Sequence, residues 1–201
     1  RCCWIFRLSW VGSVGAGMTL EERKKAARAS AFARRKAAFE AQNGAACDVL
    51  STVLASYCGT PLAGYMPINT EIDPRPAMAE ASAHGVVGVP VIKATATPLK
   101  FAKWGPEMEM VVGPFKAQIP NKIEWIAPEI ILVPLVAWDL QGGRLGYGGG
   151  FYDRTLETLR ARGPVLAIGF GFDAQRAYEL PLEPTDQMLD MIVTENQVLK
   201  I

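Results

Sequence analysis

Residues Glu129–Arg154 read EIILVPLVAWDLQGGRLGYGGGFYDR. The first ten residues are almost wholly apolar, so Glu129–Trp138 is read as a central strand buried on both faces, with Pro134 marking a bulge or an edge because it has no N–H to give to a ladder. The last residues begin a helical pattern, Phe151–Arg162. A buried strand followed by a helix is the repeating unit of an α/β sheet. The glycine-rich link between them lies beyond the carboxyl end of the strand, where open α/β sheets bind ligands.

The same alternation continues outward. Thr19 and Glu22 form a capping box that opens a helix running to about Gln42, where Asn43-Gly44 stops it. A second helix is expected over Ala45–Tyr57. Then come a strand over Leu62–Pro67, a helix over Arg75–Ala83, and strands over Val86–Ile92, Leu99–Trp104 and Met108–Val112. Beyond the glycine-rich link, Val165–Phe172 and Met191–Thr194 read as further strands. The expectation is one three-layer α/β domain over residues 18–201, with a mostly parallel central sheet flanked by helices. Residues 1–17 are read as a non-native or upstream extension, because Arg7 interrupts their apolar run and Met18 opens MTLEERKKAAR in the manner of a natural start.

Of the 201 residues, 50% are hydrophobic and 20% charged, the balance of a globular chain, and the net charge is +1. That near-neutrality argues against nucleic-acid and membrane partners. It conceals an asymmetry: residues 1–45 carry +6 and the remainder −5. Cys2, Cys3, Cys47 and Cys58 show no C-x-x-C spacing and are too sparse for a disulfide framework, which favours a reducing, cytoplasmic setting. His84 is the sole histidine and stands where a helix should end, so it is read as a surface residue.

Six of the 19 glycines fall between Gly142 and Gly150. Without Cβ atoms, such a loop lets several N–H groups converge on one anion, and the following helix adds the positive end of its dipole. The loop is neither a Walker motif nor G-x-G-x-x-G, since Phe151 stands where the third glycine would be. Arg144 can hold phosphate oxygens with its planar fork, and Asp153 can place a carboxylate beside them to carry Mg²⁺. The plainer alternative is a tight turn followed by a favourable first-turn acid. Arg154 is read as solvent-facing or locally paired. Lys24 and Arg28, four apart, share a helix face that is either solvated or turned to the ligand. Arg34, Arg35 and Lys36 are read as solvated.

RLGYGGGFYDR, preceded by VPLVAWD, resembles the signature of the 5-formyltetrahydrofolate cyclo-ligase family. The likeness extends to the K-x-x-x-R of Lys24–Arg28, to EID at Glu71–Asp73 followed by PRPAM, to Gly88-Val89-Pro90, to Leu99–Trp104, and to DQMLDMIVTE at Asp186–Glu195. The resemblance implies an enzyme that uses ATP and Mg²⁺ to close 5-formyltetrahydrofolate into 5,10-methenyltetrahydrofolate, working as a monomer with its folate as the sole partner. It implies ATP contacts at Lys24, Lys25 and Arg28 and along Arg144, Leu145, Gly146, Tyr147, Gly148, Gly149, Gly150, Phe151 and Tyr152, with Arg144 and Tyr152 as catalytic groups. It further implies folate contacts at Met66, Glu71, Trp104, Tyr147 and Phe151, and magnesium acids at Asp153 and Asp186. Outside the resemblance, Glu71 is equally read as capping the loop before Pro74, and Trp104 as core.

Two departures stand out. Where the family has a G-I-x-E-P-like segment after Phe, this chain has Phe115–Asn121, FKAQIPN, and Thr185 precedes Asp186 where a His is common. They leave room for a paralogue that keeps the ATP loop and acts on another substrate, or for a non-catalytic folate- or nucleotide-binding protein.

Overall fold

A computed structural model describes residues 17–42 and 46–201. Cys2, Cys3 and all but the last residue of the expected extension lie outside the described residues. Helix α1 (Leu20–Ala41) starts on the expected capping box, with the Thr19 N–H donating to Glu22 Oε2 at 2.7 Å and the Glu22 N–H returning to Thr19 Oγ1 at 3.3 Å. It is followed by α2 (Asp48–Ala55) and α3 (Arg75–Ser82), and later by α4 (Phe151–Arg160), close to the helices read from the sequence. Exposed His84 lies just beyond α3, as expected.

The strands are β1 (Leu62–Ala63), β2 (Val87–Val91), β3 (Lys100–Trp104), β4 (Met110–Val112), β5 (Gln118–Pro120), β6 (Trp125–Ile126), β7 (Ile130–Pro134), β8 (Ala137–Trp138), β9 (Arg144–Leu145), β10 (Leu166–Phe170), β11 (Met191–Val193) and β12 (Val198–Lys200). Eight of them form the main sheet in the order β12-β11-β10-β7-β1-β2-β3-β6. The five central strands from β11 to β2 are mutually parallel, and antiparallel strands close both edges. Alternate residues divide between two cores: Leu62, Ile130, Leu132 and Ile168 pack under α2 and α3, while Ala63, Ile131, Val133 and Ala167 pack under Leu156 of α4. This is the expected three-layer α/β arrangement with a mostly parallel sheet.

Two expected strands are corrected. Leu62–Pro67 contributes only Leu62–Ala63, after which the chain leaves the sheet. The run Glu129–Trp138 is two strands: β7 ends at Pro134, opposite Phe170 at the last position of its register. The carbonyls that follow turn away from the sheet and are taken by side chains, Leu135 O and Val136 O accepting from Gln175 Nε2 at 2.6 and 3.0 Å. β8 then pairs with β9 in a separate hairpin. Pro134 thus ends the strand, as a residue without an N–H does when a ladder must stop.

Among the described residues no helix is long and apolar enough to cross a membrane. Leu132 is fully buried in the central strand. Leu132→Ala is expected to lower stability by about 2–5 kcal/mol, read as a shift of the denaturant midpoint at constant slope.

Candidate active site

From β1 the chain passes to neighbouring β2 and β3, then returns to pair β7 against the other side of β1. Two connections leaving in opposite directions open a crevice at the carboxyl ends of β1 and β7. A cleft of about 710 Å³ occupies this place. Its walls include Tyr65 and Met66 after β1, Pro90 and Ile92 at the end of β2, Pro134 at the end of β7, and the whole segment Arg144–Arg154.

Helix α1 supplies one wall. Lys24, Arg28, Ala31 and Arg35 recur every three or four residues and so share one face, which is turned inward. Lys24 is 5% exposed and donates to Glu183 Oε2 at 2.9 Å and to Asp186 Oδ2 at 3.0 Å. Burial would lower its pKa, but the two carboxylates outweigh this and hold the ammonium above its ordinary range. Arg28 Nε donates to Gly146 O at 2.9 Å, binding the helix to the glycine loop.

The glycine-rich segment divides into two devices. Gly142 and Gly143 build the β8–β9 turn, where the Asp139 carboxylate accepts the N–H groups of Gln141 and Gly143 at 3.0 and 2.8 Å. That hairpin delivers Arg144 to the cleft. Gly146–Gly150 form the loop proper and lead into α4. Gly148 and Gly150 have φ of +95° and +61°, and a Cβ on Gly148 would meet the Arg28 guanidinium at 3.5 Å. Among the described residues, none of the backbone N–H groups from Gly146 to Asp153 has a protein acceptor. Eight donors at a helix N-terminus, flanked by Arg28 and Arg144, make a cradle for an anion.

Acids stand beside the cations. Arg144 Nη2 donates to Asp153 Oδ1 at 2.7 Å, and the Gln187 N–H reaches the same oxygen at 3.0 Å. Asp186 Oδ2 accepts both Lys24 and the Glu183 N–H. The second oxygen of each aspartate has no hydrogen-bond partner among the described residues. No group of three or more ligating side chains is gathered there to hold a cation unaided. The pair does suit an ion that takes one or two carboxylates and completes its shell with water and phosphate, the habit of Mg²⁺.

At the other end of the α1 face lies Glu71. Arg35 is eleven residues beyond Lys24, about 16 Å along the helix axis at ~1.5 Å per residue. Glu71 Oε2 accepts the Ile68 N–H at 2.9 Å, and Oε1 lies 3.9 Å from Arg35 Nη1. Burial pushes the carboxyl up from its ordinary range, against the opposing pulls of the Ile68 N–H, Arg35 and Tyr147. Burial and the nearby Glu71 likewise raise the phenols of Tyr147 and Tyr152, which stay protonated. Met66, Ile92, Leu99 and Phe151 give this end an apolar lining.

The cleft therefore gathers Lys24, Arg28, Met66, Glu71, Arg144–Tyr152, Asp153 and Asp186. Two expected residues are not brought to it. Lys25 is exposed, one helix step off the inward face. Trp104 pairs in register with Val87, while Lys100 pairs with Val91. Since β2 points its carboxyl end at the cleft, Trp104 sits about 13 Å away at the opposite end of β3. There it is buried in the core under α2 and α3.

Other residues escaped the sequence reading. Arg35, expected in solvent, is 1% exposed, and its position seven beyond Arg28 was the periodic signal for it. Glu183 is a second acid on Lys24. Arg154 pairs locally as expected, donating to Gly149 O and lying over the Phe151 ring, and also lines the cleft. Phe115, within the divergent FKAQIPN segment, sets its ring edge-on to Phe151 at 6.4 Å between centroids.

Comparison with known proteins gives a consistent result. The model of the 5-formyltetrahydrofolate cyclo-ligase family matches residues 20–195. The 5-formyltetrahydrofolate cyclo-ligase of Escherichia coli is 32% identical over 144 residues, 68% of this chain and 79% of that protein. The NMR structure of Aquifex aeolicus 5,10-methenyltetrahydrofolate synthetase superposes with a TM-score of 0.66 at 26% identity, covering 91% of this chain and 93% of the other. The corresponding structure from Mycoplasma pneumoniae, at 20% identity and a TM-score of 0.62, shares the fold.

Gly150 holds the left-handed conformation at the start of α4, with Arg154 Nη1 2.7 Å from where a Cβ would stand. Gly150→Ala is expected to cost at least about 1–2 kcal/mol in thermal unfolding, whereas Gly146→Ala, with open space around it, should cost less than half as much.

Proposed function

The chain belongs to the 5-formyltetrahydrofolate cyclo-ligase family, and we propose that it uses ATP and Mg²⁺ to convert 5-formyltetrahydrofolate into 5,10-methenyltetrahydrofolate, releasing ADP and phosphate. The observation that carries the reading is one cleft with an unpaired N–H cradle and fixed cations at one end and a buried carboxylate in an apolar lining at the other.

Transfer of a phosphoryl group needs positioning and charge neutralisation more than a nucleophilic side chain. The glycine-loop N–H groups, Arg28 and Arg144 would hold the triphosphate, with Lys24 fixing the acids beside it. Asp153 and Asp186 would hold Mg²⁺ through their free oxygens, and the ion would supply neutralisation of phosphate charge. Glu71 would accept two N–H donors from the pterin edge, fixing the formyl group toward the γ-phosphate.

The formyl oxygen takes the γ-phosphoryl group as ADP leaves. N10 then bonds to the activated carbon and loses its proton, and the carbon–oxygen bond breaks with departure of phosphate. Arg144 would stabilise the charge that builds on the transferred group, and Tyr152, kept protonated, would donate a hydrogen bond beside it. Tyr147 and Phe151 would pack on the folate, with Met66 on the pterin. The free thiols of Cys47 and Cys58 support the accompanying reading of a cytoplasmic enzyme.

With MgATP and 5-formyltetrahydrofolate, purified protein is expected to develop methenyl-folate absorbance with ADP and phosphate formed in equal amounts, and EDTA should abolish it. Arg144→Ala should lower kcat by roughly 10²-fold or more. ATP hydrolysis without folate turnover would instead favour a paralogue with another substrate, for which the FKAQIPN departure is the motive. Tight ligand binding with no ADP release would favour a non-catalytic binder.

A further inference from the structure

Arg35 is the largest charged side chain sealed inside the protein among the described residues, and no step of the proposed reaction uses it. It lies behind the cleft wall and meets three segments at once. Its Nε donates to Thr70 Oγ1 at 3.1 Å, Nη1 to Leu135 O at 3.4 Å, and Nη2 to the Tyr147 hydroxyl at 2.8 Å. Its guanidinium also lies over the rings of Phe32 and Tyr147, at 5.1 and 5.5 Å from their centroids. Nη1 is 3.9 Å from Glu71 Oε1, with both side chains almost wholly buried. Because the Tyr147 oxygen accepts from Arg35, its own proton is left for Glu71 beside it.

We infer that Arg35 is a positioning residue for substrate selection: it is the buried counter-ion and tether that fixes Glu71 for the donor edge of the pterin and couples it, through Tyr147, to the glycine loop. The inference rests on the proposed reaction. A carboxyl group accepts an N–H on each oxygen without donating a proton of its own only when ionised, and burial works against ionisation. Among the described residues, the groups that face Glu71 are Arg35 from α1, Tyr147 from the loop, Tyr65 after β1 and Tyr152 from α4, so Arg35 is the one full positive charge among them. Planar fork geometry matters as well as charge, since one side chain must serve Thr70, Leu135 and Tyr147 together.

The test uses the full chain with Arg35→Gln, which removes the charge and leaves an amide for Thr70 and Leu135, and with Arg35→Lys, which keeps the charge and loses the fork. Arg35→Gln is expected to raise the KM for 5-formyltetrahydrofolate about tenfold, equivalent to about 1.4 kcal/mol, and to leave the KM for ATP within about twofold. Its folate KM should fall as pH rises, because an unassisted Glu71 ionises only at higher pH. Arg35→Lys should recover most of the loss. In a Glu71→Gln background, Arg35→Gln should change the folate KM no further, as expected for two residues acting through one contact.

A folded Arg35→Gln with unchanged folate KM, an equal rise for ATP and folate, or additive effects in the double variant would each overturn the inference. Should Arg35→Gln not fold, Arg35→Lys carries the same split: about a two- to fivefold rise confined to folate supports it, and no rise or an equal rise overturns it. Wild-type protein that neither turns over nor binds 5-formyltetrahydrofolate would overturn the underlying reaction instead, and is measured first.

Discussion

β1 contributes only two residues to the sheet, yet the chain turns from it first toward β2 and later back to β7, and the crevice between those departures is where α1 lays its cationic face. Parallel strands must be joined by crossovers, so their carboxyl ends all open on one side and side chains from distant segments converge there. Met66 and Glu71 follow β1, Pro90 and Ile92 end β2, and Arg144 arrives from the hairpin after β7. Shifting the switch to another pair of strands would scatter them.

The charges that meet in this crevice are costly to bury. Lys24, Arg35, Glu71 and Arg144 are each less than a tenth exposed. Taking ions from water costs more than pairing them returns unless the geometry is good and further hydrogen bonds are made. Lys24 is held by Glu183 and Asp186, Arg144 by Asp153, and Arg35 by Tyr147 with Glu71 beside it. Asp153 and Asp186 each keep one carboxylate oxygen without a partner among the described residues, and the N–H groups along the loop between them likewise lack one.

Much of this could be read from the residues. The capping box set the start of α1 almost to the residue, because it is a local exchange of hydrogen bonds. The three-layer fold followed from strand and helix periodicity, and the Arg144–Asp153 segment from its density of glycine between a buried strand and a helix. Pro134 flagged an interruption within Glu129–Trp138, but local composition could not show that the run beyond it leaves the sheet as β8, since an apolar run looks the same whether it crosses one sheet or leaves it. Nor could it separate the turn glycines Gly142 and Gly143 from the loop glycines. Trp104 shows the limit most clearly: a residue on the right strand lies at the wrong end of it, because register with β2 decides which end meets the cleft.

The fate of Arg35 draws the same boundary. Sequence alone determined that the excess of positive charge sits on the first helix, that Lys24 and Arg28 share a face, and that a glycine loop waits further along the chain. Only the tertiary structure decided that the same face continues to Arg35 and turns inward against Glu71. Helical periodicity says which side chains point the same way, but what they point at depends on where the rest of the chain returns.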